Sequence, residues 1–374
     1  MKDFVAVVNA YKQIDFSQHK AALATVVRVH GSSYRSPGAR MLITDDGKWT
    51  GCISGGCLEG DALRKSRQVM NDKRAITVTY DTREESNQNL GISLGCNGVI
   101  DVLIEPVSPI DKNNPIILFE TFIDSKEPLA LATVFSSSRI GAKILFNRSS
   151  QNSNIDPQLR DDINSIFVSK KSEAKNYFLD GEQAEVFIEL IQPTISLLIF
   201  GGGFDARPVS RLAQSLGWNV QITDECIAHL APVFFPDAKL SLCQREFIDR
   251  DFEITPYTAC VLMSHNYEYD RDVLRTLIKT ESPYVGILGP RKRFDKMQDE
   301  LQLEGILLAE HDHERIHSPI GIDIGAEAPD EIAVSIIAEI QAKFAKRKGG
   351  FLKTNDGPIH QRDLNSDQVL KRNF

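Results

Sequence analysis

From residue 196 onward the sequence alternates short apolar runs with helical patterns, and this alternation limits the possible folds more than any other feature. The patterns predict strands at 196–200, 219–223, 259–263 and 284–288 and helices at 206–216, 269–279 and 329–346. Short strands separated by helices indicate right-handed βαβ units and a parallel sheet. We therefore predict a Rossmann-like, doubly wound parallel-sheet domain over residues 191–346, with a tail at 347–374.

The first of these strands runs straight into a glycine turn at the start of a helix. Gly201, Gly202 and Gly203 begin a G-x-G-x-x-A pattern. In this pattern glycines allow a tight turn and a close approach to a phosphate, and the helix N-terminus presents backbone amides to the anion. Asp224 follows by about 20 residues, where the fold places a ribose acceptor. These features predict phosphate or nucleotide binding; the alternative is that the glycines serve packing alone.

Two further segments follow strands at the edge where open parallel sheets bind ligands. His265 follows the strand at 259–263 and could titrate near neutral pH and act on a ligand. Alternatively, Ser264 or Asp270 caps the next helix and His265 is a packed loop residue. Residues 289–293, Gly-Pro-Arg-Lys-Arg, either add positive charge for a phosphate or form the solvated start of a helix.

Residues 1–190 are predicted to form a mixed α/β domain. Its patterns predict helices at 4–14 and 58–70 and strands at 21–27, 41–44, 48–53, 75–80 and 99–105, whereas residues 147–194 are polar and irregular. A weak repeat relates residues 22–26 to 130–134 and residues 38–43 to 141–146. We interpret the two copies as equivalent strand pairs in one sheet. The first copy carries a long loop where the second has a short Ser-rich link, and such elaborated loops tend to carry function.

Three glycine-rich loops of this domain carry candidate binding residues, at 31–38, 53–59 and 94–98. Arg35 is a candidate anion ligand, or a solvated arginine. Cys57 and Cys96 stand among glycines, and Cys57 is predicted at a helix start, where the dipole favours a thiolate. The alternative is that both cysteines are buried fillers of tight turns.

Charge and composition disfavour several classes of function. The formal net charge of −8 opposes the phosphate backbone, so we expect no nucleic-acid partner. No run of 18 apolar residues and no signal peptide are seen, so we expect a cytoplasmic protein without a membrane partner. The six cysteines form no C-x-x-C pair, and His311, His313 and His317 are interspersed with acidic residues, so we expect no metal site built by the protein alone.

The order of motifs resembles the XdhC/CoxI family of accessory proteins for molybdenum hydroxylases such as xanthine dehydrogenase. The resemblance covers nearly the whole chain and rests on motifs at 31–39, 54–60, 94–98, 201–208, 318–321, 325–333 and 357–360. Asn97 and Asn266 depart from the pattern, where Gly and Asp are expected, which puts in doubt any role for an acidic group after His265.

The resemblance implies a carrier rather than a catalyst. Such a protein would bind the molybdenum cofactor, as molybdopterin or its dinucleotide, while a cysteine desulfurase supplies the terminal sulfur, and would then deliver it to the hydroxylase. We expect the cofactor to span the interdomain cleft, with Cys57 and Cys96 near molybdenum, and the protein to form a homodimer. The expected cofactor-binding residues are Ser33, Arg35, Gly55, Gly56, Cys57, Cys96, Gly201, Gly202, Gly203, Asp224 and His265.

Two other functions remain open from the sequence. The glycine turn and Asp224 would also suit an NAD(P)-dependent oxidoreductase, although no hydride-transfer site is identifiable. A thiol redox protein using Cys52 and Cys57 is a third hypothesis, which the spacing of the two cysteines does not favour.

Overall fold

A boundary between Pro193 and Thr194 divides the chain into two units, which are described separately. The computed structural model describes residues 2–82, 98–111, 114–149 and 155–354. Cys96, Asn97 and residues 355–374 of the predicted tail lie outside the described residues.

The first unit consists of two successive copies of one arrangement. Its elements are α1 (Lys2–Lys12), β1 (Ala21–Gly31), β2 (Arg40–Thr44), β3 (Trp49–Gly51), α2 (Glu59–Asp72), β4 (Ile76–Asp81), β5 (Gly98–Val107), α3 (Pro115–Asp124), β6 (Leu129–Ser136), β7 (Lys143–Phe146), α4 (Pro157–Ser169), β8 (Glu173–Leu179) and β9 (Glu182–Ile191). The sheets have the orders β3-β2-β1-β5-β4 and β7-β6-β9-β8, so the second repeats the first without β3.

The sequence repeat is therefore real, but our prediction that both copies share one sheet is wrong. β1 and β2 belong to the five-stranded sheet, whereas β6 and β7 belong to the four-stranded sheet. The physical reason is that each copy continues with a helix and two further strands, which complete its own sheet. The pairing repeats as well, because Leu23 lies opposite Glu105 and Leu131 lies opposite Glu189.

A shared core joins the inner faces of the two sheets. Val27 and Leu103 of the first sheet pack with Phe135 and Phe187 of the second. α2 covers the outer face of the first sheet, and α4 covers that of the second. The prediction of irregular structure at 147–194 is wrong, because α4, β8 and β9 lie there. Their outward-facing polar residues interrupt the apolar residues in the sequence, so the apolar face of each element is not visible as a continuous pattern.

The second unit is a single parallel sheet with helices on both faces. Its elements are β10 (Ser196–Phe200), α5 (Ala206–Ser215), β11 (Asn219–Asp224), β12 (Lys239–Leu242), α6 (Ile248–Asp251), β13 (Thr258–Leu262), α7 (Tyr267–Leu277), β14 (Tyr284–Ile287), α8 (Arg291–Leu303), α9 (Glu310–Arg315), β15 (Ile316–His317) and α10 (Pro329–Phe344). α5 and α10 pack on one face, and α7 and α8 pack on the other.

The strand order confirms the predicted fold class. It is β12-β11-β10-β13-β14-β15, and every neighbouring pair is parallel. Counted within the unit this order is 3-2-1-4-5-6, the order of the Rossmann fold. The order reverses next to β10, so the carboxyl ends of β10 and β13 flank the position where such sheets bind ligands. Among the described residues, no helix has both the length and the apolar character needed to span a bilayer.

Candidate functional site

The glycine turn connects β10 to α5, and its three glycines have different surroundings. Gly201 has a φ of +121°, and a Cβ there would lie 2.5 Å from the Cα of Ser264 at the end of β13. A Cβ on Gly202 would lie 2.7 Å from the carbonyl oxygen of His229. A Cβ on Gly203 would meet only the ring of His265, at 3.8 Å. Packing therefore accounts for the first two glycines, and the third faces open space.

Three successive amides of this turn are available to an anion. Within the described residues, the N–H groups of Gly203, Phe204 and Asp205 have no acceptor, and the side chain of Asp205 does not cap the helix. Unpaired amides at a helix N-terminus, together with the helix dipole, favour a phosphate. The turn thus has the donors that the sequence predicted.

Arg207 adds a cation beside these amides, one residue into α5. Its guanidinium carbon lies 3.6 Å from the ring centroid of Phe234 and 5.3 Å from that of Phe204. Its Nε is buried without a hydrogen-bond partner among the described residues. The stacking holds the planar group in place while leaving its N–H donors for a ligand. Sequence reasoning did not select Arg207, although its position in the first turn of the helix was a usable signal.

Asp224, the predicted ribose acceptor, lies at the end of β11 and is bonded to its own chain. Its carboxylate accepts hydrogen bonds from the amides of Gly202 and Cys226, each at 2.8 Å. The Nδ1 of His229 lies 2.9 Å from Oδ2. Asp224 therefore joins the glycine turn to the segment that follows β11, a role that the sequence did not reveal.

His265 stands beside Gly203 at the open edge of the turn. Its backbone φ is +60°, a conformation that is uncommon for a residue other than glycine. Its Nε2 lies 3.0 Å from Oδ2 of Asp205, and its side chain is 61% exposed. The alternative of a packed loop residue is wrong, since the ring projects from the loop beside Gly203.

The helix after His265 is capped by Asn266, not by Ser264 or Asp270. Asn266 Oδ1 accepts the amide of Tyr269 at 3.2 Å. Ser264 Oγ instead accepts the amide of Asn266 and donates to the buried Asp270. An amide oxygen caps a helix as well as a carboxylate does, so the departure at Asn266 preserves this function.

The basic segment at 289–293 forms the start of α8 and is largely neutralised within the unit. Arg293 donates to Asp270 at 2.7 Å, and Arg291 donates to Asp295 at 3.1 Å. Burial raises the pKa of Asp270, although Ser264 and Arg293 oppose the shift. Arg293 therefore acts as the partner of a buried carboxyl group and not as free charge for a phosphate.

In the first unit, the predicted loops leave one end of the five-stranded sheet. The ring of Tyr34 lies over Gly55, 3.6 Å from the position of a Cβ. Gly31 pairs with Gly98, and a Cβ on Gly98 would collide with the carbonyl oxygen of Ser32. The loops at 31–38 and 53–59 thus contact each other, and Gly98 lies beside Ser32 of the first loop.

A buried carboxylate, Glu59, organises the loop that carries Cys57. Glu59 accepts the amides of Ile53, Ser54 and Leu58 at 2.8 to 3.2 Å, and it also accepts the hydroxyl of Ser54. Burial by itself would raise the pKa of Glu59, but these donors hold it below its usual value. Sequence reasoning did not select Glu59, although a glutamate in the first turn of an amphipathic helix was visible.

Cys57 lies just before α2 and is half-buried. Its Sγ lies 3.6 Å from the Oγ of Ser54, which also accepts the amides of Gly56 and Leu58. The thiol is therefore held at a defined position by a network that ends on a carboxylate. Cys57 also packs against the core between the first sheet and α2, so a binding role and a filling role both stay open for it.

The other predicted residues of this unit have structural contacts. Arg35 forms an ion pair with Asp3 of α1, and its side chain remains 28% exposed. Ser33 is buried at the base of the same loop.

The histidines at 311–317 do not converge on one point. His317 Nδ1 lies 3.0 Å from Glu339, and His311 lies 3.5 Å from Asp312. In the described part of the chain, one group of three side chains has the spacing of metal ligands: His19, Asp45 and Asp46. That group is at the surface, and Lys48 already pairs with Asp46.

Comparisons with known proteins cover both units. Residues 17–81 match the XdhC and CoxI family, and residues 197–340 match the XdhC Rossmann domain. A probable xanthine dehydrogenase subunit of Bacillus subtilis is 29% identical over 327 residues, which are 86% of this chain and 93% of that protein. The molybdenum cofactor insertion chaperone PaoD of Escherichia coli is 22% identical over 320 residues, 86% of this chain and 82% of PaoD.

A solved structure is similar over both units. The crystal structure of a xanthine dehydrogenase from Bacillus halodurans has a TM-score of 0.70 and 28% sequence identity, and the match covers 92% of this chain and 97% of that chain.

Proposed function

Because this chain belongs to the XdhC and CoxI family, we propose that it is an accessory protein that binds the molybdenum cofactor and assists its insertion into a molybdenum hydroxylase of the xanthine dehydrogenase type. The names of two relatives, a molybdenum cofactor insertion chaperone and a probable xanthine dehydrogenase subunit, support this role. The proposal includes retention of the cofactor during sulfuration by a cysteine desulfurase, and a homodimeric, cytoplasmic protein.

The observation that carries the proposal is the set of unpaired amides at Gly203, Phe204 and Asp205. The cofactor has a phosphate group, and these amides, with the guanidinium of Arg207 beside them, fit a phosphate in charge and in donor number. His265 adds a ring nitrogen at the open side of the turn, and Asp205 holds the orientation of that ring.

The first unit offers a separate feature that suits the metal-bearing part of the cofactor. Soft ligands such as thiolates suit the dithiolene-bound molybdenum of this cofactor. Cys57 supplies such a group, and the network of Ser54 and Glu59 fixes its position. We propose that Gly55, Gly56 and Cys57 contact the cofactor, together with Ser33, Arg35 and Cys96. When bound, the cofactor would supply the molybdenum chemistry that the hydroxylase uses.

A carrier needs binding and release rather than hydride transfer, and the residues of this chain suit those tasks. The amides of the turn need no conformational change to bind an anion, because the strand and the helix already fix their directions. Arg207 contacts two aromatic rings, those of Phe204 and Phe234, so its charge stays at the turn when the ligand leaves.

The experiment compares the pterin content of the full chain and a Gly203→Ala variant, both purified without oxygen from a molybdenum-replete host. The methyl group would occupy the open space at Gly203 without meeting backbone. We expect the variant to keep its melting temperature and to lose about tenfold in retained pterin, which is about 1.4 kcal/mol of binding free energy. It should activate an apo-hydroxylase correspondingly less.

A charge-matched pair of variants provides the control. Arg207→Gln removes the cation at the turn, whereas Arg211→Gln removes one on the same helix that pairs with Asp330 at the surface. Pterin retention should fall in Arg207→Gln and stay unchanged in Arg211→Gln. A wild-type chain that releases no pterin on denaturation and activates no apo-hydroxylase would overturn the proposal.

A further inference from the structure

The segment that follows β11 packs against the glycine turn on the side where a Rossmann domain recognises ribose. It comprises residues 226–235, named here the plug segment, and includes the short 3₁₀ helices Ile227–His229 and Pro232–Phe234. Leu230 and Phe235 are buried in the core that α5 and α10 form on one face of the sheet. The ring of Phe234 stacks on Arg207. Leu230 in the middle of the plug segment and Phe235 at its end therefore anchor it to the domain.

The plug segment and the turn together enclose the carboxylate of Asp224. Gly202 and Cys226 donate their amides to it, His229 approaches Oδ2, and the residue is only 6% exposed. A carboxylate that binds a ribose diol must present free lone pairs to the ligand. At Asp224 three donors of the chain already use most of that capacity.

The backbone of the plug segment also occupies the space above Gly202. The carbonyl carbon and oxygen of His229 lie 3.0 and 2.7 Å from the position of a Cβ on Gly202. In the G-x-G-x-x-A pattern the second glycine, which allows the ligand to approach the backbone, is Gly203, and Gly202 is the residue between the two motif glycines. The plug segment therefore covers the turn at Gly202 and leaves the ligand's approach at Gly203 open.

We infer that the plug segment closes the ribose side of the turn, so that the site takes a phosphate or phosphomonoester and does not select a nucleotide through its ribose. The inference rests on the phosphate role of the turn in the proposed function, and it narrows the ligand class of that site. It disfavours NAD(P) as a ligand, because tight binding of a dinucleotide would require Asp224 to exchange its internal partners for the diol.

The first test measures the affinity of the full chain for pyrophosphate and for ADP-ribose, in which a diphosphate carries adenosine on one side and a second ribose on the other. We expect the two dissociation constants to agree within about threefold, which is less than 1 kcal/mol. In a His229→Ala variant, which removes a half-exposed ring from Asp224, ADP-ribose should gain affinity relative to pyrophosphate. A wild-type preference for ADP-ribose of about tenfold or more that Asp224→Asn abolishes would overturn the inference.

The second test needs no ligand and separates this inference from the proposed function. Hydrogen exchange should find the amides of Gly202 and Cys226 protected in the wild type, and about tenfold less protected in His229→Ala as the enclosure loosens. Unprotected amides in the wild type would overturn the closure, whatever the pterin measurements give. Binding of neither probe, with both amides protected, would overturn the phosphate role and with it the narrowed ligand class.

Discussion

Arg40 of the first repeat binds Glu189 of the second, with Nη1 3.0 Å from Oε1, although 149 residues separate them in the sequence. At the equivalent positions, Lys143 of the second repeat pairs with Glu105 of the first. The two ion pairs are therefore reciprocal. Each copy supplies the cation to one pair and the carboxylate to the other, and both pairs are buried.

Replacement of Glu189 by Gln should destabilise the first unit by about 3 to 5 kcal/mol, because Arg40 would remain buried without a counter-charge. The double variant Arg40→Met with Glu189→Leu should recover most of that loss. Urea denaturation, followed by the fluorescence of Trp49 in a Trp218→Phe background, would measure the free energy of unfolding of the single and the double variant. A single variant as stable as the wild type would contradict a structural role for the pair.

Alanine substitutions at adjacent glycines should differ in their effect on the second unit. Gly202→Ala forces a Cβ against the backbone of His229 and should cost about 1 to 3 kcal/mol. Gly203→Ala meets no backbone and should change stability by about 0.5 kcal/mol or less. Trp218 is the tryptophan of this unit and reports its unfolding in a Trp49→Phe background. Equal losses of stability in the two variants would contradict the backbone contact at Gly202 and the open space at Gly203.

Glu59→Gln should loosen the loop of Cys57. In the wild type, backbone N–H groups point at the carboxylate of Glu59. The NH₂ group of glutamine cannot accept those hydrogen bonds, so the free energy of unfolding should fall by about 1 to 3 kcal/mol. Alkylation of Cys57 in the native protein, quantified by mass spectrometry, should become faster. Glu127→Gln, at an exposed position of the same unit, serves as the control and should leave the rate unchanged.

The thiols of the second unit should differ in reactivity. Cys260 is fully buried in β13, and burial raises its pKa to about 12, whereas Cys226 is exposed. We expect iodoacetamide to label Cys226 in the folded protein and Cys260 only after unfolding, because the thiolate is the reactive form. Timed labelling of the wild type and of Cys226→Ser would check this. Equal labelling of both thiols in the folded state would contradict the burial of β13.

The stability of the second unit should depend on the ionisation of Glu339. Burial alone would raise its pKa, but His317, Tyr284 and the amide of Gly321 hold it below 4.5. A carboxyl group whose folded pKa is lowered stabilises the fold above its unfolded pKa, and this contribution disappears as pH falls through the folded value.

Glu339→Gln should therefore be less stable than the wild type at pH 7 by about 1 to 3 kcal/mol. The difference should shrink at a pH below the lowered folded pKa of Glu339, where the wild-type carboxylate takes up a proton. Denaturation curves at both pH values, followed through Trp218, would show whether it does. A gap that is constant with pH would exclude the ionised form as the source of the stability.

Local pattern was sufficient for much of the second unit. The strands β10, β13 and β14 are nearly continuous apolar runs, as buried parallel strands require, and the helices between them have strong apolar faces. The resemblance to the XdhC/CoxI family, based on motif order, is confirmed by the family matches. In contrast, α4, β8 and β9 were missed, since their alternating and partly exposed residues resemble irregular structure in the sequence.

The sequence by itself determined the Rossmann class of the second unit, the existence of a repeat in the first, and the positions of the glycine loops. These depend on residue spacing and backbone conformation, which are local properties. Tertiary structure alone decided that the repeats form two sheets joined by reciprocal ion pairs, that Glu59 fixes the Cys57 loop, and that Asp224 faces its own chain. Each of these depends on which distant groups fold against a residue, and spacing along the chain does not contain that information.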